Sequence, residues 1–255
     1  MQQPYYLTNQ QIDTLKLTYK YRFITTHLLA SYRNLTSYKS GYQNLERLVN
    51  QKYLVKRISK QDRINRRSAI YYLSAKGIRY LRETQLYAEP QLHVMHKNGY
   101  ASQAFVDLHL LLVRIQIILR SQYLGVFQHY SRIEATALDD DITAKPDVYL
   151  RRHDETKQPG EYFLYVITDI QLFIIKRLIK KIIADYDVWP SDEYFPTLLL
   201  VCPTLSVARR IVKYLESLEL DDEPNFFITT SSALLQADNP EVWIPYLEDE
   251  QLISL

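Results

Sequence analysis

Cysteine and glycine are both scarce in this chain of 255 residues, which holds one Cys and five Gly. A lone Cys202 cannot close an intramolecular disulfide, so a disulfide-stapled scaffold is excluded, and its place at the end of an apolar run reads as a core thiol. None of the five glycines falls into a GxGxxG or GxxxxGK[ST] pattern, so no Gly-rich loop offers itself to a nucleotide phosphate. Long apolar runs are missing too. The best stretches, residues 105–119 and 162–178, carry charges or His and fall short of the about 18 clean apolar residues that suggest a membrane span. The first ten residues, MQQPYYLTNQ, have neither the basic nor the apolar segment of a secretory signal. Together these absences predict a cytoplasmic protein in a reducing compartment, with no membrane partner.

Net charge is nearly absent as well, with 31 Lys+Arg against 29 Asp+Glu. The balance is a cancellation. Residues 1–83 hold 16 Lys+Arg and 4 Asp+Glu, a net of +12, which leaves 15 and 25 for residues 84–255, a net of −10. Tyrosine is abundant at 22, and 11 of these lie in the basic third, where a surface both apolar and hydrogen bonding is favoured.

In the basic third, Thr8 and Gln11 are spaced as a capping box and open a helix to about Tyr21, with Ile12 and Leu15 inward. Thr25 or Thr26 caps a short second helix containing Leu28, Leu29 and Tyr32. A third helix is predicted over residues 38–50, its buried face marked by Leu45, Leu48 and Val49. The opposite face presents Lys39, Ser40, Gln43, Asn44 and Arg47, side chains able to bond base edges and phosphates in a major groove. The period then changes from 3.6 to 2, giving strands over residues 53–58 and 69–73 around a polar loop, residues 59–68. Ser74 caps a closing helix, SAKGIRYLRE. Three helices, a strand, a basic loop and a strand make a winged helix-turn-helix, assigned to residues 1–83. The passage YYLSAKGIRYL resembles the strand-to-helix passage of many bacterial winged helix regulators.

Lys56, Arg57, Lys60, Arg63, Arg66 and Arg67 crowd the predicted hairpin tip, interrupted in charge only by Asp62. Such a cluster repels itself unless an anion approaches, and duplex DNA carries about one charge per 1.7 Å. Double-stranded DNA is therefore the expected partner, with Arg66 and Arg67 on the backbone or minor groove and Gln43, Asn44 and Arg47 reading bases.

Residues 84–121 are expected to be a linker with a loose helix, then a connecting helix over 102–121. His93 and His96 read as solvent-facing, with no further Cys or His nearby to complete a metal site. Phe105, Leu108, Leu112, Ile115 and Leu119 share one face of the connecting helix, which is apolar almost all round and so is either core or the seam of a homodimer.

Residues 122–255 predict an α/β domain. A strand over 145–151 and an apolar strand over 162–168 form a hairpin, followed by a helix over 171–186 bearing Lys176, Arg177, Lys180 and Lys181. A buried strand (197–202), a helix (206–218) and a short strand (226–229) complete a mixed sheet with helices on its faces. Residues 139–141, three adjacent Asp, read as a solvated loop. Acidic stretches at 219–223 and 248–250 suit a basic protein partner or a solubilising surface.

This order of elements, with Pro146-Asp147, the YVITD strand end and Lys180-Lys181, resembles the replication-relaxation family of plasmids and conjugative elements. The resemblance implies an α+β or α/β architecture: a winged helix followed by a restriction-endonuclease-like, PD-(D/E)xK domain. It also implies a DNA-binding accessory of replication, relaxation or mobilisation, with relaxase, replication or transfer proteins as partners of the acidic domain. A working nuclease of that fold holds Mg²⁺ or Mn²⁺ on carboxylates from neighbouring strands, with a Lys to orient water. Asp147 fits the first position, Glu134 and Asp169 would be further metal ligands, and Gln171, Lys176 and Lys180 stand nearest the missing lysine. Ile167 occupies the place where the family often has Glu, so the motif is degraded and a scaffold role is favoured. A metal-dependent endonuclease is the alternative and a winged helix transcriptional regulator a second; DNA binding itself requires no cofactor.

Overall fold

The computed structural model describes residues 7–58, 60–64, 67–85, 87, 89–123, 126–135, 142–153, 160–190, 194–218, 220, 224–236 and 242–245. The chain divides into two compact units, Met1–Ile117 and Ile118–Leu255, each combining helices with one β-sheet. Among the described residues no helix is long and apolar enough to cross a membrane.

The N-terminal unit begins with α1 (Asn9–Tyr21), opened by the expected capping box: the Thr8 side chain accepts from Gln11 N–H, and Thr8 N–H donates to Gln11 Oε1 at 2.9 Å. Strand β1 (Ile24–Thr25) leads directly into α2 (Thr26–Tyr32), whose cap is Thr25. After a tight turn comes α3 (Tyr38–Asn50), capped by Ser37. Gly41 faces α2, where a Cβ would meet the Thr26 carbonyl at 3.4 Å and the Ala30 methyl at 3.7 Å, ordinary contact distances. Strands β2 (Leu54–Arg57) and β3 (Ile70–Leu73) pair antiparallel, Leu54 opposite Leu73, and β1 adds to the far side of β3. Between them, the expected loop contains one helical turn, α4 (Lys60–Ile64). Its run KQDRI lacks Gly and Pro, which would break a helix, and Arg67 N–H closes the turn onto the Asp62 carbonyl at 2.8 Å.

Helix α5 (Ala75–Glu83) starts at Ser74, whose backbone N–H donates to the Tyr53 carbonyl at 3.0 Å. The residues expected to be a linker instead pack on this unit as α6 (Glu89–Val94) and a 3-10 turn (Met95–Tyr100), burying Leu92, Met95 and Asn98. This packing has an identifiable cause in Arg22. Its Nε donates to Asn98 Oδ1 at 2.8 Å and its Nη2 to the Val94 carbonyl at 3.2 Å, while the guanidinium lies 4.6 Å from the Phe105 ring centroid. Burial pulls the Arg22 pKa down to about 10, so it stays charged near neutrality. A polar-looking segment is thus held by a distant side chain that local periodicity does not reveal. Helix α7 (Gln103–Gln122) follows, and Phe23, Ile70 and Val106 form a buried cluster with Phe105 packed against it. Along α7, Val106, Leu112, Val113, Ile115 and Leu119 are buried within the single chain. They are spent as core, which leaves a dimer seam unneeded to explain the pattern.

The C-terminal unit is a six-stranded mixed sheet in the order β4-β5-β6-β7-β8-β9. Strands β4 (Phe127–Ser131), β5 (Val148–Arg152) and β6 (Glu161–Val166) are antiparallel neighbours, and one helical turn, α8 (Arg132–Ala135), follows β4. From β6 the sheet runs parallel to β7 (Thr197–Cys202) and β8 (Phe226–Thr230) through α9 (Leu172–Asp187) and α10 (Leu205–Glu216). A short α11 (Ser231–Gln236) and the antiparallel β9 (Ile244–Pro245) finish it. Continuous apolar runs such as TLLLVC suit strands covered on both faces, and residues 198–202 are all fully buried. One face packs on Ile175, Ile179 and Ile182 of α9 and Val207, Ile211 and Leu215 of α10. Burial pushes the Cys202 thiol up to about 12, the inert core thiol expected of it.

Candidate nucleic-acid interface

The exposed side of α3 carries Tyr38, Lys39, Ser40, Tyr42, Gln43 and Arg47, while Gly41, Asn44, Leu45 and Leu48 are buried. Four of the five residues expected on that face are therefore there. Asn44 is not: it is 8% exposed, and its Oδ1 accepts a hydrogen bond from Thr14 Oγ1 at 2.9 Å. A buried amide needs a partner, and α1 supplies one, so Asn44 joins two helices. Tyr38 and Tyr42, 56% and 47% exposed, were not anticipated. Their spacing of four places both rings along the same helix side, and the tyrosine excess of the basic third was the available signal.

The hairpin cations divide into two sets. Lys56 donates to Glu46 Oε1 at 2.7 Å, and the Tyr71 hydroxyl donates to the same oxygen at 2.8 Å. Burial pushes the Glu46 carboxyl up, but these hydrogen bonds outweigh it and hold it below the ordinary value. Arg57 Nη1 donates to the Ala101 carbonyl at 2.9 Å. Lys56 and Arg57 thus brace the base of the hairpin. Arg63 and Arg67 are exposed near its tip, with Arg67 Nη1 3.8 Å from Asp62, a weak exposed pairing. Arg66 and the Lys60 side chain lie outside the described residues.

In the C-terminal unit Asp147 precedes β5. Its N–H donates to the Leu164 carbonyl and its Oδ2 accepts from Val166 N–H, both at 2.9 Å, while Arg132 Nη1 stands 3.7 Å from Oδ1. Burial raises the Asp147 pKa, with Val166 N–H and Arg132 pulling it partly back. Glu134 is occupied in capping α8, its Oε2 accepting from Ser131 N–H at 2.8 Å and Ser131 Oγ at 3.0 Å. Asp169 lies past the end of β6, where Oδ1 accepts a long 3.5 Å bond from Gln171 N–H, and Gln171 itself is the exposed N-cap of α9. Ile167 belongs to the apolar core and donates its N–H to the Val201 carbonyl at 2.9 Å. Lys176 Nζ lies 4.5 Å from the Tyr214 ring centroid, and Lys180 is exposed. Among the described residues no three His, Cys, Asp or Glu side chains gather as a metal-binding group. The run at 139–141 lies outside the described residues, as do 219, 221–223 and 248–250.

No protein-family model, curated protein or solved structure matches the chain.

The raised Asp147 pKa makes a testable statement about stability. A carboxyl whose pKa is higher folded than unfolded weighs against the fold once it is ionised, and that cost vanishes below the ordinary Asp value of about 3.9. Asp147→Asn keeps an oxygen for Val166 N–H and removes the charge. Its melting temperature is expected to exceed that of the wild type at pH 7 and to converge with it as the pH falls toward 4. Calorimetric melts across that range check it; a variant less stable at pH 7 would show that the carboxylate is a net asset.

Proposed function

We propose that the N-terminal unit is a winged helix that docks on double-stranded DNA, with α3 in the major groove and the β2–β3 tip against the backbone. The carrying observation is the exposed row Lys39, Ser40, Gln43 and Arg47 on a helix whose opposite side is buried. The antiparallel sheet behind it bears Arg63 and Arg67 at its exposed tip. The net of +12 over residues 1–83 supplies the attraction to phosphate. The C-terminal unit serves as a degenerate PD-(D/E)xK-like scaffold, a reading supported by the burial of Ile167 and the engagement of Glu134 in a cap. The resemblance to the replication-relaxation family supports an accessory role in replication, relaxation or mobilisation. Its acidic unit would recruit relaxase, replication or transfer proteins.

Titration of a labelled duplex at several salt concentrations tests this. Affinity is expected to fall linearly on a log-log plot, with a slope of about −0.9 per phosphate contact. Arg63→Ala/Arg67→Ala makes that slope shallower by about 2, while Gln43→Ala or Arg47→Ala erases about 1–3 kcal/mol of preference for the specific site. An unchanged slope removes the hairpin tip from the interface. Supercoiled plasmid with Mg²⁺ or Mn²⁺ stays intact on this reading; nicking that disappears in Asp147→Asn would establish the endonuclease instead.

A further inference from the structure

Helix α9 carries a cationic face inside a region that is otherwise acidic. Between residues 170 and 184 there is no Asp or Glu, while Lys176, Arg177, Lys180 and Lys181 stand at positions i, i+1, i+4 and i+5. Like charges four apart on a helix destabilise it, and the 176–180 and 177–181 pairs both incur this. The next acid, Asp185, relieves none of it. Both its oxygens are turned inward, accepting from Thr143 N–H at 3.1 Å, Thr143 Oγ1 at 2.6 Å and Ala144 N–H at 2.7 Å. The four cations line a shallow groove of about 490 Å³, together with Phe173 of α9 and Tyr214 of α10. At its rim Phe173 is 68% exposed, and Ile170 and Ile174 beside it are 63% and 38% exposed. Arg209, Arg210 and Lys213 add exposed cations on the neighbouring helix.

We propose that this groove binds single-stranded nucleic acid, the cations following the phosphates and Phe173 stacking on an unpaired base. Charge complementarity selects a polyanion, and the aromatic ring selects which one. A duplex hides its base faces, so an exposed Phe gains nothing from it, whereas single-strand sites combine a basic groove with stacking platforms. The site is separate from the duplex contact proposed for α3 and the hairpin tip, and it does not depend on that reading.

The test uses the full chain and a fluorescently labelled oligothymidylate of about 16 nucleotides. Lys180→Glu/Lys181→Glu is expected to weaken binding at least tenfold and to make the salt slope shallower by about 1.4, two single-strand contacts at about 0.7 each. Phe173→Ala costs about fivefold or more, the lower end of measured base stacking, and Phe173→Trp restores it. Folding is not at risk, because a carboxylate at position 180 would sit four residues after Lys176 and replace a repulsion with an attraction; unchanged melts confirm it. Arg63→Ala/Arg67→Ala should leave oligothymidylate binding intact while altering the duplex slope, so the two readings fail separately. Oligothymidylate binding that survives the α9 changes and is lost with the Arg63/Arg67 changes would overturn the proposal. So would equal losses on duplex and oligothymidylate with no effect of Phe173→Ala, or binding of poly-glutamate in place of oligothymidylate.

Discussion

Gly77→Ala is expected to destabilise the N-terminal unit by about 1–3 kcal/mol, although the same change on an exposed helix would stabilise it by roughly 0.5–1 kcal/mol. The reversal comes from the backbone. A Cβ at Gly77 would lie 2.3 Å from the Tyr53 carbonyl oxygen and 3.2 Å from Leu73 Cδ2. That carbonyl cannot swing aside cheaply, because it also accepts the Ser74 N–H that joins α5 to the base of the hairpin. Relief requires α5 to withdraw, which uncovers Ile78 and Leu81, 1% and 0% exposed. Gly41→Ala is the matched control, since its Cβ would meet its nearest atom at 3.4 Å, an ordinary contact. Urea denaturation should show Gly77→Ala losing stability and Gly41→Ala holding or gaining it. Equal behaviour of the two would mean that the approach of α5 to Tyr53 is not tight.

Asp185→Ala carries the largest expected loss in the C-terminal unit, about 3 kcal/mol, because it strands a buried donor that has no replacement partner. The carboxylate is 5% exposed and receives three hydrogen bonds from residues 143 and 144. Thr143 is exposed and recovers water on its side, whereas the buried Ala144 N–H does not. The damage spreads to Tyr165, whose hydroxyl donates to the Ala144 carbonyl at 2.8 Å, and from there to the approach to β5 that positions Asp147. At about 2–4 °C per kcal/mol for a unit of this size, a fall of roughly 6–12 °C in Tm is expected. Asp185→Asn, which keeps one acceptor oxygen, should lose less. A Tm unchanged in Asp185→Ala would show that the three bonds hold nothing in place.

The parts of the fold written in local pattern were legible. Strand β7 announces itself as a continuous, largely apolar run of strand length, α1 through its capping box, and α3 through Leu45 and Leu48. The parts that depend on distant partners were not. Strand β4, FQHYS, buries Phe127, His129 and Ser131, so its inward face is too polar to read as a strand until β5 lies beside it. Strand β1 has two residues and exists because β3 offers an edge. Segment 89–100 looks like a linker because Arg22, which binds Asn98 and Val94, is more than seventy positions away. The candidate interface divides by the same logic. Arg47 and Gln43 were placed by helical spacing, but Asn44 is claimed by Thr14 and Lys56 by Glu46, contacts that no window of sequence encloses.

The buried Cys202 has a practical consequence for measurement. Its thiol is fully enclosed and held protonated by burial, so maleimide reagents have neither access nor a thiolate to attack. An introduced cysteine on an exposed position of α3, the hairpin tip or α9 would then be the sole labelled site in the native chain. Dyes or spin labels placed this way test whether duplex or single-stranded nucleic acid approaches each of these surfaces, without first removing the native sulfur.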